Sequence, residues 1–204
     1  SYGYTEFVLC LGYKGDSIKE YFLNYEAMQS DCTIELGRDA KITQHGSHAE
    51  DGWSITLANT GLNALTGARV KRIQKYVDNK PFILTYGDGV ADVDVKALIT
   101  FHRQQGRLGT VTGVRAPGRF GELTIEQDHV ESFIEKPAVS GGYINGGFFV
   151  FEPTIFKYLS DREDCILERE PLEKLAEDRQ LSVFKHDGFW QCVDTNSDFT
   201  LVND

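Results

Sequence analysis

Apolar residues fall in short dense runs separated by polar turns. Glu6–Leu11 (EFVLCL), Ser54–Asn59 (SITLAN), 82–86 (FILTY) and 148–151 (FFVF) are too short for ordinary helices and predict buried or half-buried strands. Between them, apolar positions recur at intervals of three and four. Ile18, Tyr21, Phe22 and Tyr25 predict a helix capped by Asp16 or Ser17. Val70, Ile73 and Val77 predict a second helix over 66–77. Val95, Leu98, Ile99 and His102 predict a third over 94–105, stopped by Gly106. Residues 33–36 (TIEL) alternate like a strand, and the polar stretch 37–53 reads as a loop or hairpin. Up to residue 105 strand and helix alternate, which predicts a doubly wound parallel sheet. The rhythm then changes. Strands over 110–115, 122–126, 130–135 and 143–151 follow one another through Pro-Gly, Asp-His and Gly-Gly turns, as in an antiparallel extension. Residues 153–159 and 170–178 read as helices, 181–185 as a strand and 198–204 as the start of a helix. The expected fold class is α/β: a Rossmann-like mixed, mostly parallel sheet flanked by helices, with a small antiparallel extension, in one domain over 1–204.

Charge and composition remove several functions. The chain carries 21 Lys and Arg against 31 Asp and Glu, a net −10, which argues against non-specific contact with nucleic acid or anionic membrane. No apolar run approaches the roughly 18 residues of a transmembrane helix, and residues 1–12 read as a strand rather than a signal peptide. At 41% hydrophobic and 12% aromatic, the chain can bury a core and is not disordered. Cys10, Cys32, Cys165 and Cys192 form no C-x-x-C pair; they read as buried free thiols in a cytoplasmic protein.

The sharpest chemical signal is Thr85-Tyr86-Gly87-Asp88-Gly89, directly after an apolar strand. Ligands of open α/β sheets bind beyond the carboxyl ends of strands. Gly87 and Gly89 leave room beside a carboxylate that suits Mg2+; a hydrogen-bonding turn is the alternative role for Asp88. Asp194 in Phe189-Trp190-Gln191-Cys192-Val193-Asp194-Thr195 repeats the arrangement, as a second metal ligand or as a helix cap. Asp92-Val93-Asp94 has the form of a metal-holding D-x-D, but its place before a helix favours capping. The loop from Asn59-Thr60-Gly61 to Thr66-Gly67-Ala68-Arg69 opens a basic helix whose N-terminus suits an anion, with Thr60 or Thr66 able to meet a base edge; a capped surface helix explains it as well. Lys136 in Glu135-Lys136-Pro137 offers a point charge for phosphate or is a solvated surface lysine. Asn145 in Asn145-Gly146-Gly147 could hold sugar hydroxyls or make a turn. His45 and His48 read as solvated, and His102, His129 and His186 have no assigned partners.

Eight segments taken in order resemble the sugar-phosphate nucleotidyltransferases, and among them the glucose-1-phosphate cytidylyltransferases: FVLCLGYKGDSIKEYFLNY, LANTGLNALTGARVKRI, ILTYGDGVADVDVKALITFH, PGRFGEL, FIEKP, INGGFFVF, EREPLEKLAE and GFWQCVDT. EKP is shared by many nucleotidyltransferases; the NTG…TGARVKR and YGDGVADVD stretches are more specific to the cytidylyl branch. The resemblance implies that CTP and α-D-glucose 1-phosphate give CDP-glucose and pyrophosphate, feeding dideoxysugars into surface polysaccharides. It implies Mg2+ on Asp88 and Asp194, and Lys136 on the sugar phosphate with Glu135 reaching the sugar. Asn145 and Gly146 would line the sugar site, with Thr60, Gly61, Thr66 and Arg69 facing the nucleotide and Gly87 packed against it. It also implies a homo-oligomer. Two carboxylates about 4 Å apart repel by roughly 4 kcal/mol at an effective dielectric near 20, a cost that a divalent cation removes. A non-catalytic nucleotide-sugar-binding homologue and a uridylyl- or thymidylyl-transferring relative are the other readings. Members of the family open with a strand, a loop of the form G-G-x-G-T-R-L and a lysine that these residues lack. The chain is therefore expected to be cut at its N-terminus, and at its C-terminus as well. A central strand buries several large side chains at about 1.5–3 kcal/mol each, which together rival the roughly 5–15 kcal/mol that holds a domain. Residues 1–204 alone are accordingly expected to be unstable or inactive.

Overall fold

The structure is a computed structural model and describes residues 2–38, 40–46, 50–77, 79–115, 122–126, 129–134 and 142–203. The chain forms two compact units. One is Ser1–Asp78 with Leu159–Pro171; the other is Asn79–Tyr158 with Leu172–Asp204.

In the first unit β1 (Glu6–Leu11), α1 (Gly15–Leu23), α2 (Tyr25–Gln29), β2 (Asp31–Glu35), β3 (Lys41–His45), β4 (Ser54–Asn59) and α3 (Thr66–Arg72) follow in order. β1 and β4 pair in parallel, from Glu6 opposite Ser54 to Leu11 opposite Asn59, and β2 and β3 form an antiparallel hairpin. Neither Asp16 nor Ser17 caps α1. The helix begins at Gly15 after Lys14, which takes the left-handed conformation at φ 54°. Gly15 is buried there, and an added Cβ would stand 3.1 Å from Leu11 Cβ, so a larger residue would push the helix off the strand end. The predicted apolar face of α1 becomes a ring cluster of Tyr21, Phe22 and Tyr25 that stays partly exposed. The second predicted helix, over 66–77, stops early: α3 ends at Arg72 and a 3-10 turn over Gln74–Tyr76 follows.

The second unit contains β5 (Phe82–Thr85), β6 (Gly89–Ala91), α4 (Val95–Gln105), β7 (Gly109–Val114), β8 (Glu122–Glu126), β9 (His129–Ile134), β10 (Ile144–Phe151), α5 (Glu170–Glu177, whose first two residues belong to the other unit), β11 (Leu181–His186), β12 (Trp190–Cys192) and α6 (Asn196–Asn203). Its main sheet runs β11-β7-β10-β5. β11 is parallel to β7, while β10 is antiparallel to both its neighbours. The α/β class and the mixed sheet agree with expectation. Antiparallel pairs nevertheless outnumber parallel ones among the described residues, five to two: β10 runs against both its neighbours, and β2–β3, β6–β12 and β8–β9 are antiparallel pairs of their own.

The run FFVF reads correctly as a strand buried on both faces. Side chains alternate along β10. Val150 and Phe148 join Val93, Leu98, Ile83 and Phe184 beside α4. Phe149 and Phe151 stack at 5.3 Å on the other face, both without exposed surface. Burying each phenyl ring contributes about 1.5–3 kcal/mol. α4 starts where the sequence indicates: the Asp94 carboxylate accepts from the backbone N–H of Lys96 at 2.9 Å and of Ala97 at 3.0 Å, and Gly106 ends the helix in the left-handed region. The four cysteines are free, as expected, but half-buried rather than buried. No helix among the described residues is long and apolar enough to cross a membrane.

Candidate active site

The second unit brings Asp88 and Asp194 together although they lie far apart in sequence. β5 ends at Thr85 and the chain turns through Gly87 and Asp88 into β6. β6 pairs antiparallel with β12, with Gly89 opposite Cys192, and the Val193 N–H donates to the Asp88 carbonyl at 2.8 Å. These bonds lay the two strand ends side by side. As a result the side-chain donor atoms of Asp88, Cys192 and Asp194 all lie within 4.8 Å of one another. Asp88 and Asp194 are exposed and Cys192 is half-buried. The two oxygens and one sulfur form a donor set that fits a divalent cation, since carboxylates suit magnesium and thiolates suit zinc.

The helix cap at this strand end belongs to other residues. Thr195 Oγ1 accepts from the Asp198 N–H at 3.2 Å, and the Asp198 carboxylate accepts from the Thr195 N–H at 2.9 Å. This reciprocal capping box starts α6. Its T-x-x-D signature stands in the sequence one residue past Asp194, the residue that the local pattern also allows as a cap. Asp198 also accepts from Gln191 Nε2 at 2.9 Å and from the Asp194 N–H at 3.2 Å, so it holds the backbone on both sides of the site.

Asn145 and Gly146 sit where β10 departs from its register with β7, between Asn145 and Phe149. Asn145 Oδ1 accepts from the Gly147 N–H at 2.9 Å, and its Nδ2 donates to the Tyr86 hydroxyl at 3.2 Å. Trp190 Nε1 donates to the Gly146 carbonyl at 2.9 Å. Tyr86 and Trp190 thus tie the irregular end of β10 to the strand ends that carry Asp88 and Asp194; no local pattern marks either brace. Gly147 has φ 78° and lies against the Tyr86 ring, so only glycine fits it comfortably. Gly87 is different: a Cβ there would meet nothing within 4 Å, leaving open space beside Asp88. Glu135 and Lys136 lie outside the described residues.

The D-x-D form divides between two structural tasks. Asp94 caps α4, while Asp92 pairs with His186 Nε2 at 2.9 Å and its N–H donates to the Phe189 carbonyl. His102 is buried between Thr110 Oγ1, 2.9 Å from its Nδ1, and Glu152 Oε1, 3.4 Å from its Nε2. Burial holds its imidazole below the ordinary value against the opposing pull of Glu152, with Arg103 adding to the depression. His45 is exposed beside Thr33 Oγ1; His48 is outside the described residues.

In the first unit, the glycine-bearing loop is braced from within. Thr60 is buried, its hydroxyl donating to the Leu11 carbonyl at 2.8 Å and accepting from Arg69 Nη1 at 2.8 Å. Arg69 Nη1 also donates to the Leu11 carbonyl, and its guanidinium lies against Gly12. Arg72 donates to the carbonyls of Thr60 and Asp161 at 2.7 and 2.9 Å. Thr66 Oγ1 donates to Glu168 and accepts from the Leu167 N–H. The N-terminus of α3 is not an open anion seat, because the N–H groups of Gly67 and Ala68 both donate to the Cys165 carbonyl. Gly61, at φ 99°, lines with Asn59 and Leu62 a cavity of about 380 Å3 that Leu11, Gly12, Lys14 and Lys19 also line, and the Arg72 guanidinium stands 2.5 Å from where a Cβ at Gly61 would lie.

A family model described as nucleotidyl transferase matches residues 27–204, most of the chain. The chain belongs to the nucleotidyl transferase family. It is 46% identical to the glucose-1-phosphate cytidylyltransferase of Salmonella typhi over 97% of its own length and 76% of that protein. It is 41% identical to a Bacillus subtilis protein named "Probable glucose-1-phosphate cytidylyltransferase", over 99% of this chain and 78% of the relative. The crystal structure of HddC from Yersinia pseudotuberculosis has the same fold at a TM-score of 0.62 and 21% identity, over 98% of this chain and 78% of that one. The nucleotidyl transferase model thus takes in the Asp88–Cys192–Asp194 cluster and the braced loop alike.

Proposed function

We propose that this chain transfers the cytidylyl group of CTP to α-D-glucose 1-phosphate. A phosphate oxygen of the sugar attacks the α-phosphorus, the bond to the bridging oxygen of the β-phosphate breaks, and CDP-glucose and pyrophosphate are released. The observation that carries the reading is the approach of the Asp88 and Asp194 carboxylates at two strand ends, in a chain 46% identical to a glucose-1-phosphate cytidylyltransferase.

Asp88 and Asp194 would hold Mg2+, which supplies positive charge to the phosphates during the transfer. The sugar-phosphate oxygen is already anionic, so the chain has to align two anions rather than generate a base. Lys136, with Glu135 beside it, is assigned to the sugar phosphate by the family motif alone. Asn145 is held by Tyr86 and Gly147, which suits a side chain that orients sugar hydroxyls. Thr60, Thr66 and Arg69 keep the nucleotide loop in shape, leaving Gly61 and the adjoining cavity to receive the nucleotide. Gly87 leaves space against which the nucleotide packs.

Pyrophosphate release by the full-length protein with glucose 1-phosphate and Mg2+ tests the assignment, with CTP, UTP and dTTP compared. CTP is expected to exceed both other nucleotides by about tenfold or more, a discrimination of about 1.4 kcal/mol. Faster turnover of UTP or dTTP overturns the cytidylyl assignment. Nucleotide-sugar binding without turnover of any of the three supports the non-catalytic homologue instead.

A further inference from the structure

Cys192 has a chemistry that magnesium-dependent transfer does not use. We propose that its sulfur is a third donor at the Asp88–Asp194 site, so that the same site captures thiophilic divalent ions such as zinc and cadmium in competition with magnesium. The inference rests on the proposal that these two carboxylates hold the catalytic cation.

The geometry suits a shared ion. Gly89 stands opposite Cys192 across the β6–β12 pair, which brings the sulfur to the strand end that carries Asp88. Cys192 Sγ lies 3.4 Å from Asp194 Oδ1, and the three donor atoms are mutually within 4.8 Å. A sulfur at about 2.3 Å and a carboxylate oxygen at about 2.1 Å on one tetrahedral zinc ion stand about 3.6 Å apart. The Cys192–Asp194 spacing matches that separation, and Asp88 lies within 4.8 Å of both donors. Among the described residues this is the group of metal-binding side chains in which a thiol joins two carboxylates. The other cysteines have different neighbours: Cys10 Sγ points to the Arg69 carbonyl, and Cys165 Sγ packs against Gly67.

Hard and soft ions would use the site differently. Magnesium and manganese favour the two carboxylates over the sulfur. Zinc or cadmium favours all three donors. As the sulfur–metal bond forms, the thiol proton passes to solvent, and the charge balance remains with the metal and its three ligands. An ion held this way occupies the position that magnesium needs, which makes the enzyme sensitive to inhibition by thiophilic metals.

Cadmium titration of the full chain in the presence of Mg2+ reads this directly, through the ultraviolet charge-transfer absorption of a sulfur–cadmium bond. Mn2+ binding, followed by electron paramagnetic resonance, reports on the carboxylates. Cys192→Ser is expected to lose the absorption and to bind cadmium at least about tenfold more weakly, with Mn2+ affinity held within about twofold. Asp88→Asn is expected to weaken both ions. Retention of the absorption and affinity by Cys192→Ser overturns the proposal while leaving the carboxylate site intact. Undiminished cadmium affinity in Asp88→Asn also overturns it, because the sulfur would then act without the carboxylate. Undiminished Mn2+ affinity in both Asp88→Asn and Asp194→Asn removes the underlying metal site itself. The Mn2+ measurement on Cys192→Ser also distinguishes loss of a donor from loss of the fold.

Discussion

Thr195 and Asp198 form the capping box of α6, so substitution of Asp88 or Asp194 is expected to carry a distinct signature. Asp88→Asn or Asp194→Asn should lower kcat by about a hundredfold or more, with little change in the melting temperature. An equal loss of thermal stability would point back to a structural role. Gly87 offers a complementary probe. A methyl group there meets no protein atom within 4 Å, so Gly87→Ala should fold normally and raise the KM for nucleotide. Unchanged KM would remove Gly87 from the nucleotide site. Thr60 shows the limit of reading residues from sequence. Its hydroxyl suits a base edge by type, yet its two protein partners and its burial were set by residues 49 positions upstream and 9 downstream. No local pattern contains that information.

The same contrast holds for whole elements. α4 was legible from both ends because Asp94 and Gly106 act within one turn of the helix they delimit. The FFVF strand was legible because both its faces are apolar. β6 and β12, by contrast, are three residues each, too short for a periodic signal, and they exist by pairing with one another. These two weak elements are the ones that assemble the candidate site. α6 depends on its capping box at the same place. Thr195→Ala should cost about 0.5–2 kcal/mol in chemical denaturation and reduce activity as well, since Asp198 also holds the Asp194 backbone. A stability loss with unchanged kcat would separate the cap from the site.

Across the molecule, pH should act on the second unit through His102. Its folded-state pKa lies below the unfolded value of about 6.5. Below that pH the unfolded chain takes up a proton that the folded chain resists, so the stability contribution is present above about pH 6.5 and is lost as the pH falls. Denaturation midpoints measured from about pH 8 to pH 5 should fall toward acid, and His102→Asn should flatten part of that slope. An identical slope in the variant would assign it to other groups. The α/β class, most element positions, and the types of residue able to carry nucleotidyl transfer were determined by the sequence, because periodicity, turn residues and motif chemistry act over short distances. The division into two units, the reversed direction of β10, the bracing of the nucleotide loop and the approach of Asp88 to Cys192 and Asp194 were decided only by tertiary structure. Each depends on hydrogen bonds or packing between segments whose separation along the chain leaves no local mark.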